Sequence, residues 1–579
     1  MTAAGAFDST RMVTALVRLH QALHDVALPL DLADADEQRR AQALLVDQLE
    51  DYVIPRMMTI DAPLLAVVGG STGAGKSTLV NSLVGRRVTA PGLLRPTTRS
   101  PVLVHNPADA HWFGQDRLLP ELKRVDHATD DPGALQLVAS DTVPTGLAIL
   151  DAPDVDSVEE QNRLLAAQLL AAADLWIFVT SAARYADQVP WEFLKAAAER
   201  STAVAVVLDR TPHDAVQTVA THLARMLAAR GLKDSPLFIV HEGKVSDDGL
   251  LPANNVAEVR GWLDMLADDA GARQAVIGQT LDGAVRALAF NVHPIADAAA
   301  SQADALVRLR SDAESAYAGA RGAIMAAATD GTLMRGEVLA RWQEFVGTGE
   351  LLKSLENRVG KLRDRMVNAV KGKPQQAEGV TVAIESGLEL LVLEHAEAAA
   401  ERAEIAWQQS EAGRGLLADA PGDLGRASRA LRSKAERAVR DWQQDVLDMV
   451  RAAGEDRKST ARYLAYGVNG LGVALMIVVF AGGAVSPGAG QTGAVSAEGT
   501  AEIGRKLLDA VFGDQAVRDL AARSRAALEQ RVDALLDEEE GRYTGVLDVL
   551  AVDAGAPDRL RQAARGVDDV RYAMQRDLG

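Results

Sequence analysis

Eight consecutive residues constrain this chain more than any other feature: Gly70-Ser71-Thr72-Gly73-Ala74-Gly75-Lys76-Ser77. They follow the apolar run Leu64–Val68 and precede the apolar segment Thr78–Val84, so a buried strand runs into a glycine-rich turn and out into a helix. Glycines at these places let successive backbone N–H groups curl inward around an anion, and the helix begins with its positive end at the same point. Lys76 adds a mobile positive charge for outer phosphates, and Ser77 offers a hydroxyl to Mg²⁺. Residues Gly70 through Thr78 are therefore candidate nucleotide contacts, with Lys76 as a catalytic candidate.

A strand that is apolar throughout needs cover on both faces, which asks for a parallel sheet with crossover helices. The sequence supplies it: Leu64–Val68, Val102–His105, Leu147–Leu150, Leu175–Val179, Ala203–Leu208 and Leu237–Val240 are short apolar runs separated by helical patterns. Between Pro107 and Thr145 the rhythm is interrupted, and Pro120 and Asp130-Asp131-Pro132-Gly133 mark turns there. This segment reads as an insertion with one short helix and one extra strand.

On either side the pattern is helical. Met12, Leu16, Leu19 and Leu23, then Ala41, Leu44, Leu45 and Leu49, mark two helices before the glycine-rich turn. After about Ala270 the strand signals stop. An Ala/Leu/Arg/Glu-rich stretch runs to Arg462, with breaks expected near Pro294, Gly347-Thr348-Gly349, Pro374 and Pro421-Gly422. Aromatics are 4% of the 579 residues, which favours close packing of small side chains over an aromatic-rich sandwich. Trp342, Phe345, Trp407 and Trp442 read as core.

Composition removes several classes of function. The net charge of −19 repels phosphate backbones, so no nucleic-acid partner is expected. The chain has no cysteine, which excludes disulfide scaffolds, Cys-based zinc sites and thiol catalysis. Its histidines show no metal spacing. Asp8 and Arg11 interrupt any secretory core at the N-terminus, so a cytoplasmic start is expected.

Two further elements fit the phosphate turn. Leu147-Ala148-Ile149-Leu150-Asp151 is an apolar strand ending in a carboxylate, where such a fold holds Mg²⁺ through a coordinated water. Asp151 is thus a catalytic and metal candidate. Arg95-Pro96-Thr97-Thr98-Arg99-Ser100-Pro101 lies in the loop before the second strand, and Thr98 there is a candidate for reaching Mg²⁺ and a γ-phosphate.

Together, a Gly-Gly-x-x-x-Ala-Gly-Lys-Ser turn, Pro-Thr-Thr-Arg-x-Pro and Asp-x-Pro resemble the GTPase domain of dynamin-like proteins, especially bacterial ones, over roughly residues 63 to 245. The resemblance implies an α/β P-loop GTPase domain with a mostly parallel sheet, joined to a long α-helical neck and stalk with a hydrophobic membrane-contacting segment. It implies GTP as substrate with Mg²⁺, Thr98 as the switch threonine, Asp151 at the start of the second switch, and a homo- or hetero-oligomer formed through the GTPase domain. The corresponding division is 1–60 for helices joining the neck, 61–272 for the GTPase domain, 273–462 for the stalk, 463–497 for the tip and 498–579 for returning helices.

This chain departs from the family pattern in three places. Asp151-Ala152-Pro153-Asp154 carries Asp154 where the family has glycine. The glutamine that orients water in eukaryotic dynamins falls on Thr72. The base-reading motif becomes Leu208-Asp209-Arg210-Thr211-Pro212: Arg210 can stack on a base, Asp209 stands where an amide is expected, and Pro212 replaces the carboxylate that pairs with guanine. Asp209 and Arg210 are the nucleotide-binding candidates there, with Asp214 as an alternative carboxylate. His241-Glu242-Gly243-Lys244 occupies the place of the remaining base loop.

From Tyr463 to Ala497 there is no charged residue, and Leu471 to Ala481 is densely apolar, approaching the ~20 residues a bilayer requires. A single span, a re-entrant tip and a helix buried in the bundle are all compatible with it. Arg426, Arg429, Arg432, Lys434, Arg437 and Arg440, then Arg451, Arg457, Lys458 and Arg462, precede it as a basic stripe. Such a stripe suits anionic lipid headgroups on the cytoplasmic side of a membrane, or a solvated helix face paired with Glu436 and Asp441. The expected activity is a membrane-associated GTPase that couples assembly to membrane remodelling. The alternative is a nucleotide-gated scaffold with little hydrolysis.

Overall fold

The computed structural model describes residues 3–89, 100–115, 118–129, 131–157, 160–199, 202–329, 337–338, 340–341, 374–455 and 513–578. Thr97, Thr98, Trp342, Phe345 and the apolar segment 463–497 lie outside the described residues. The chain divides into two compact units, one of Met1–Leu28, Asp34–Ser301 and Asp553–Gly579, the other of Pro29–Ala33 and Gln302–Val552.

The first unit is built on one eight-stranded sheet. Its strands are β1 (Leu64–Gly70), β2 (Val102–His105), β3 (Lys123–Val125), β4 (Ala134–Ala139), β5 (Leu147–Asp151), β6 (Leu175–Ser181), β7 (Ala203–Thr211) and β8 (Leu237–His241). They lie in the order β3-β4-β2-β5-β1-β6-β7-β8. Every neighbouring pair is parallel except β2 with β5, so the sheet is mixed and mostly parallel. β1, β5 and β6 are buried along their whole length, which is why each reads as an unbroken apolar run rather than an alternating one.

Before β1 come three helices, α1 (Ala3–His24), α2 (Ala35–Gln48) and α3 (Ile54–Met58). The stripe Met12, Leu16, Leu19 and Leu23 on α1 is buried in the core of the sheet unit, and helix Ala556–Leu578 lies along α1 with Leu560, Ala564 and Val567 buried in the same core. The entry to β1 is tied down by a buried network. The Arg56 guanidinium donates to Asp174 at 2.8 Å, Tyr52 donates its hydroxyl to the same carboxylate at 3.1 Å, and the Leu65 amide donates to its other oxygen at 2.8 Å.

The insertion differs from expectation. Pro107–Phe113 is a single 3₁₀ segment, as one short helix would allow, but two strands follow it, β3 and β4. β3 is short and charged, so its sequence carries no apolar signal. It is held because Arg124 turns its guanidinium onto the carbonyls of Phe113, Leu118, Leu119 and Leu122.

The second unit is helical. Its main elements are the later part of Ala270–Thr329, together with Pro374–Gln408, Leu431–Glu455 and Asp514–Asp548. Ala313, Ala320, Ala396, Ala399, Ala403 and Ala435 are fully buried, which lets the backbones approach closely. The few aromatics anchor the seams and find polar partners: Trp407 donates its indole N–H to Leu309 O at 2.8 Å, Trp442 to Ser524 O at 2.9 Å, and Tyr543 its hydroxyl to Ala400 O at 2.8 Å. Trp407 and Trp442 are core residues as expected.

Pro294 does not end a helix. Ala270–Thr329 continues through it for 60 residues. Pro294 sits on the exposed face, and Phe290, whose carbonyl the proline leaves without an N–H, is 73% exposed, so water can reach that side of the helix and take over the carbonyl.

Candidate functional site

Sheet order assembles the site. β1 lies between β5 and β6, and Val68 stands in register with Asp151 while Gly70 stands in register with Val179. The turn after β1 therefore emerges beside the carboxyl end of β5, the usual position for ligands in open α/β sheets. The helix α4 (Lys76–Val84) starts at Lys76, so its N-terminal amides open onto the same turn.

Two glycines are required by geometry. Gly70 has φ 147°, and a Cβ there would stand 2.0 Å from the Val179 carbonyl oxygen. Gly75 has φ 102°, and a Cβ there would stand 1.9 Å from Asp209 Oδ2. Gly73 also takes positive φ, at 75°, between Thr72 and Ala74. Thr78 is buried on the first turn of α4.

Ser77 and Asp151 are brought together: Ser77 donates its hydroxyl to Asp151 Oδ2 at 2.8 Å. Asp151 is fully buried, and its other oxygen, Oδ1, has no hydrogen-bond partner among the described residues. Burial pushes the Asp151 carboxyl up, opposed by the Ser77 hydroxyl, by the neighbouring Thr89 hydroxyl and by the charge of Lys76. A hydroxyl beside an under-satisfied carboxylate is a hard oxygen donor set of the kind Mg²⁺ takes, so the residues fit that ion. No cluster of three or more His, Cys, Asp or Glu side chains with metal geometry exists among the described residues.

The ammonium of Lys76 is buried and fully engaged. It donates to Gly70 O at 3.1 Å, to Ser71 O at 3.0 Å and to the carboxylate of Asp154. Asp154 is brought there by main-chain bonds that pin the loop after β5 onto β1: the Ala152 amide donates to Val68 O at 3.1 Å and the Val155 amide to Gly70 O at 3.3 Å. Two residues on, Asp156 Oδ1 accepts from the Thr72 amide at 2.6 Å and from the Thr72 hydroxyl at 2.7 Å. Arg184, in the turn after β6, donates to Asp156 Oδ2 at 3.1 Å. The ion pair of Asp154, and the roles of Asp156 and Arg184, were not readable from sequence. The only available hint was the charge at Asp154 where the resembling family has glycine.

At the end of β7, Asp209 is buried against Gly75 and accepts from the Arg210 amide at 2.7 Å. Burial pushes its carboxyl up to about 6, partly offset by the Arg210 amide and charge and reinforced by Glu242. Arg210 holds a left-handed backbone, φ 51°, at the register shift between Leu208 and Thr211 near the end of β7. Just beyond, His213 stacks on His241 with ring centroids 4.3 Å apart, joining the ends of β7 and β8. Asp214 is exposed. The loop from His241 is fixed by Asn255, which donates to His241 O at 2.9 Å.

Residues 65–211 match the model of the dynamin family. A probable transmembrane GTPase, FZO-like and chloroplastic, from Arabidopsis thaliana is 26% identical over 143 residues, covering 25% of this chain. The chain spans 14% of that relative's length. Among solved structures, two chains from an oligomerised bacterial dynamin pair, described as sensing and tethering membranes over long range, are similar in a distant way. One is 10% identical with a TM-score of 0.38, covering 96% of this chain and 97% of that one. The other is 12% identical with a TM-score of 0.28, covering 80% and 79%.

Proposed function

We propose, from the premise that this chain is a dynamin-like protein through its residues 65–211, that it is a Mg²⁺-dependent nucleoside-triphosphatase acting on GTP and working at a membrane. The observation that carries this reading is the meeting of Ser77 with Asp151 at the base of a phosphate turn that ends in Lys76. Gly70 through Thr78 hold the phosphates, with amide N–H groups and the Lys76 ammonium facing the negative oxygens. Ser77 and Thr98 would hold Mg²⁺, with Asp151 holding it through a coordinated water. Bound Mg²⁺ would supply charge neutralisation at the phosphoryl oxygens; the Lys76 ammonium and the turn amides face the charge that builds as water attacks the γ-phosphorus in line and the bond to the β-phosphate oxygen breaks, releasing the diphosphate. Asp209 and Arg210 flank the base.

In this reading residues 61–272 are the motor. The helices of 1–60, 273–462 and 498–579 form neck and stalk, and 463–497 contacts the membrane from the cytoplasmic side. Arg432, Arg437 and Arg440 are exposed on one helix and suit anionic headgroups, the lipid partner we infer. Assembly through the GTPase domain completes a site that has Thr72 where a water-orienting glutamine would stand.

The test is phosphate release by the full chain with GTP or ATP, each with and without liposomes containing anionic lipid. Turnover of GTP above ATP, raised by liposomes and by protein concentration, is the expected result. Lys76-dependent binding with no turnover of either nucleotide supports the second reading, a nucleotide-gated scaffold. The contact between Asp154 and Lys76 favours that reading, since it takes up the cation that phosphoryl transfer needs.

A further inference from the structure

An ammonium has three protons, and those of Lys76 are all used: two on carbonyls of its own turn and one on Asp154. The Thr72 amide, which points out of the same turn, is likewise used by Asp156. Both carboxylates come from one loop, Ala152 to Ser157, held on β1 by the Val68 and Gly70 carbonyls. Arg184 fastens the outer oxygen of Asp156 and reaches Asp187 at 3.7 Å. The loop thus presents two negative groups to two donors that would otherwise serve a bound phosphate chain. A fourth acceptor cannot be added to Lys76 without giving one up, and the Asp154 carboxylate is the one that does not belong to the turn.

We propose that Asp154 and Asp156 form an internal anion that occupies the phosphate donors of Lys76 and Thr72, so that a nucleoside triphosphate binds only as this loop withdraws. The proposal rests on the nucleotide-binding reading above. Asp154 is then a specificity-determining residue: its charge opposes an outer phosphate at Lys76 more than it opposes the inner ones, so it weakens triphosphate binding more than diphosphate binding. Apparent affinity falls by the fraction of molecules in which the loop is open, and removal of the carboxylate restores it.

The experiment titrates the full chain, in Mg²⁺, with fluorescent GTP and GDP analogues, comparing wild type with Asp154→Ala, Asp154→Asn and Asp156→Ala. The expected result is triphosphate binding tightened about tenfold or more by Asp154→Ala, with a smaller gain for diphosphate and an intermediate one for Asp154→Asn, which keeps an acceptor and loses the charge. Unchanged or weaker triphosphate binding by folded Asp154 variants, with wild type binding normally, overturns the internal anion and leaves the nucleotide reading standing. No binding by wild type or any variant overturns both. Wild type alone also decides the matter kinetically. The observed association rate should level off at the opening rate of the loop as nucleotide concentration rises, and a strictly linear dependence overturns the proposal.

Discussion

The Ser77 hydroxyl donates to Asp151 Oδ2 at 2.8 Å, across 74 residues of sequence, and Asp151 Oδ1 is buried without a hydrogen-bond partner among the described residues. The pair joins the first residues of α4 to the last residue of β5, the two places that the proposed function assigns to the metal. Ser77→Ala removes one donor, and Asp151→Asn removes the charge. Each is expected to lower the Mg²⁺ dependence of nucleotide affinity, measured as the ratio of binding with Mg²⁺ to binding with chelator. A ratio equal to wild type in both variants would remove the metal role from these residues.

Asp209 gives a pH dependence with a definite sign. Its carboxyl is raised from an ordinary 3.8 to about 6 by burial, so the folded state keeps its proton over a range where the unfolded state has lost it. Folding stability from this group is therefore full below the ordinary value and is lost as pH rises through about 4 to 6, by about 3 kcal/mol in all. Asp209→Asn keeps an acceptor for the Arg210 amide and carries no charge. It should gain up to that amount over wild type at pH 7 and none near pH 4, in denaturant unfolding at the two pH values.

The buried ion pair of Arg56 and Asp174 is expected to be costly to break. Asp174→Ala leaves the Arg56 guanidinium buried beside Tyr52 and takes the partner from the Leu65 amide at the start of β1. A loss of about 3–5 kcal/mol follows from an unpaired buried charge, and urea unfolding measures it. Arg56→Met combined with Asp174→Leu should recover part of the loss, because an apolar pair leaves no charge stranded.

Arg184 distinguishes a fastening role from a phosphate contact. It holds Asp156, which holds the Thr72 amide. Arg184→Ala should tighten triphosphate binding severalfold if the guanidinium fastens the loop. The same titration would show weaker binding if Arg184 met the phosphates itself.

Much of the sheet unit was legible beforehand because its signals are local. A buried parallel strand must be apolar at every position, and the runs at Leu64, Val102, Leu147, Leu175, Ala203 and Leu237 all became strands. The helix stripe of Met12, Leu16, Leu19 and Leu23 was equally plain. β3 was not, since Lys123-Arg124-Val125 has no apolar face to read and depends on the carbonyls Arg124 gathers. Pro294 misled for a related reason: whether a proline breaks a helix depends on what lies beside it, and here one side is water.

The sequence by itself determined which residues form the glycine-rich turn between β1 and α4, because glycine spacing, an apolar strand and a following Lys-Ser are constraints on a few neighbouring residues. It determined the carboxylate at Asp151 for the same reason. Only the tertiary structure decided what those groups face. Lys76 meets Asp154 across 78 residues, Thr72 meets Asp156 across 84, and Gly75 lies against Asp209 from another strand. Such partners are chosen by strand order and by main-chain bonds between separate segments, and neither leaves a periodic trace along the chain.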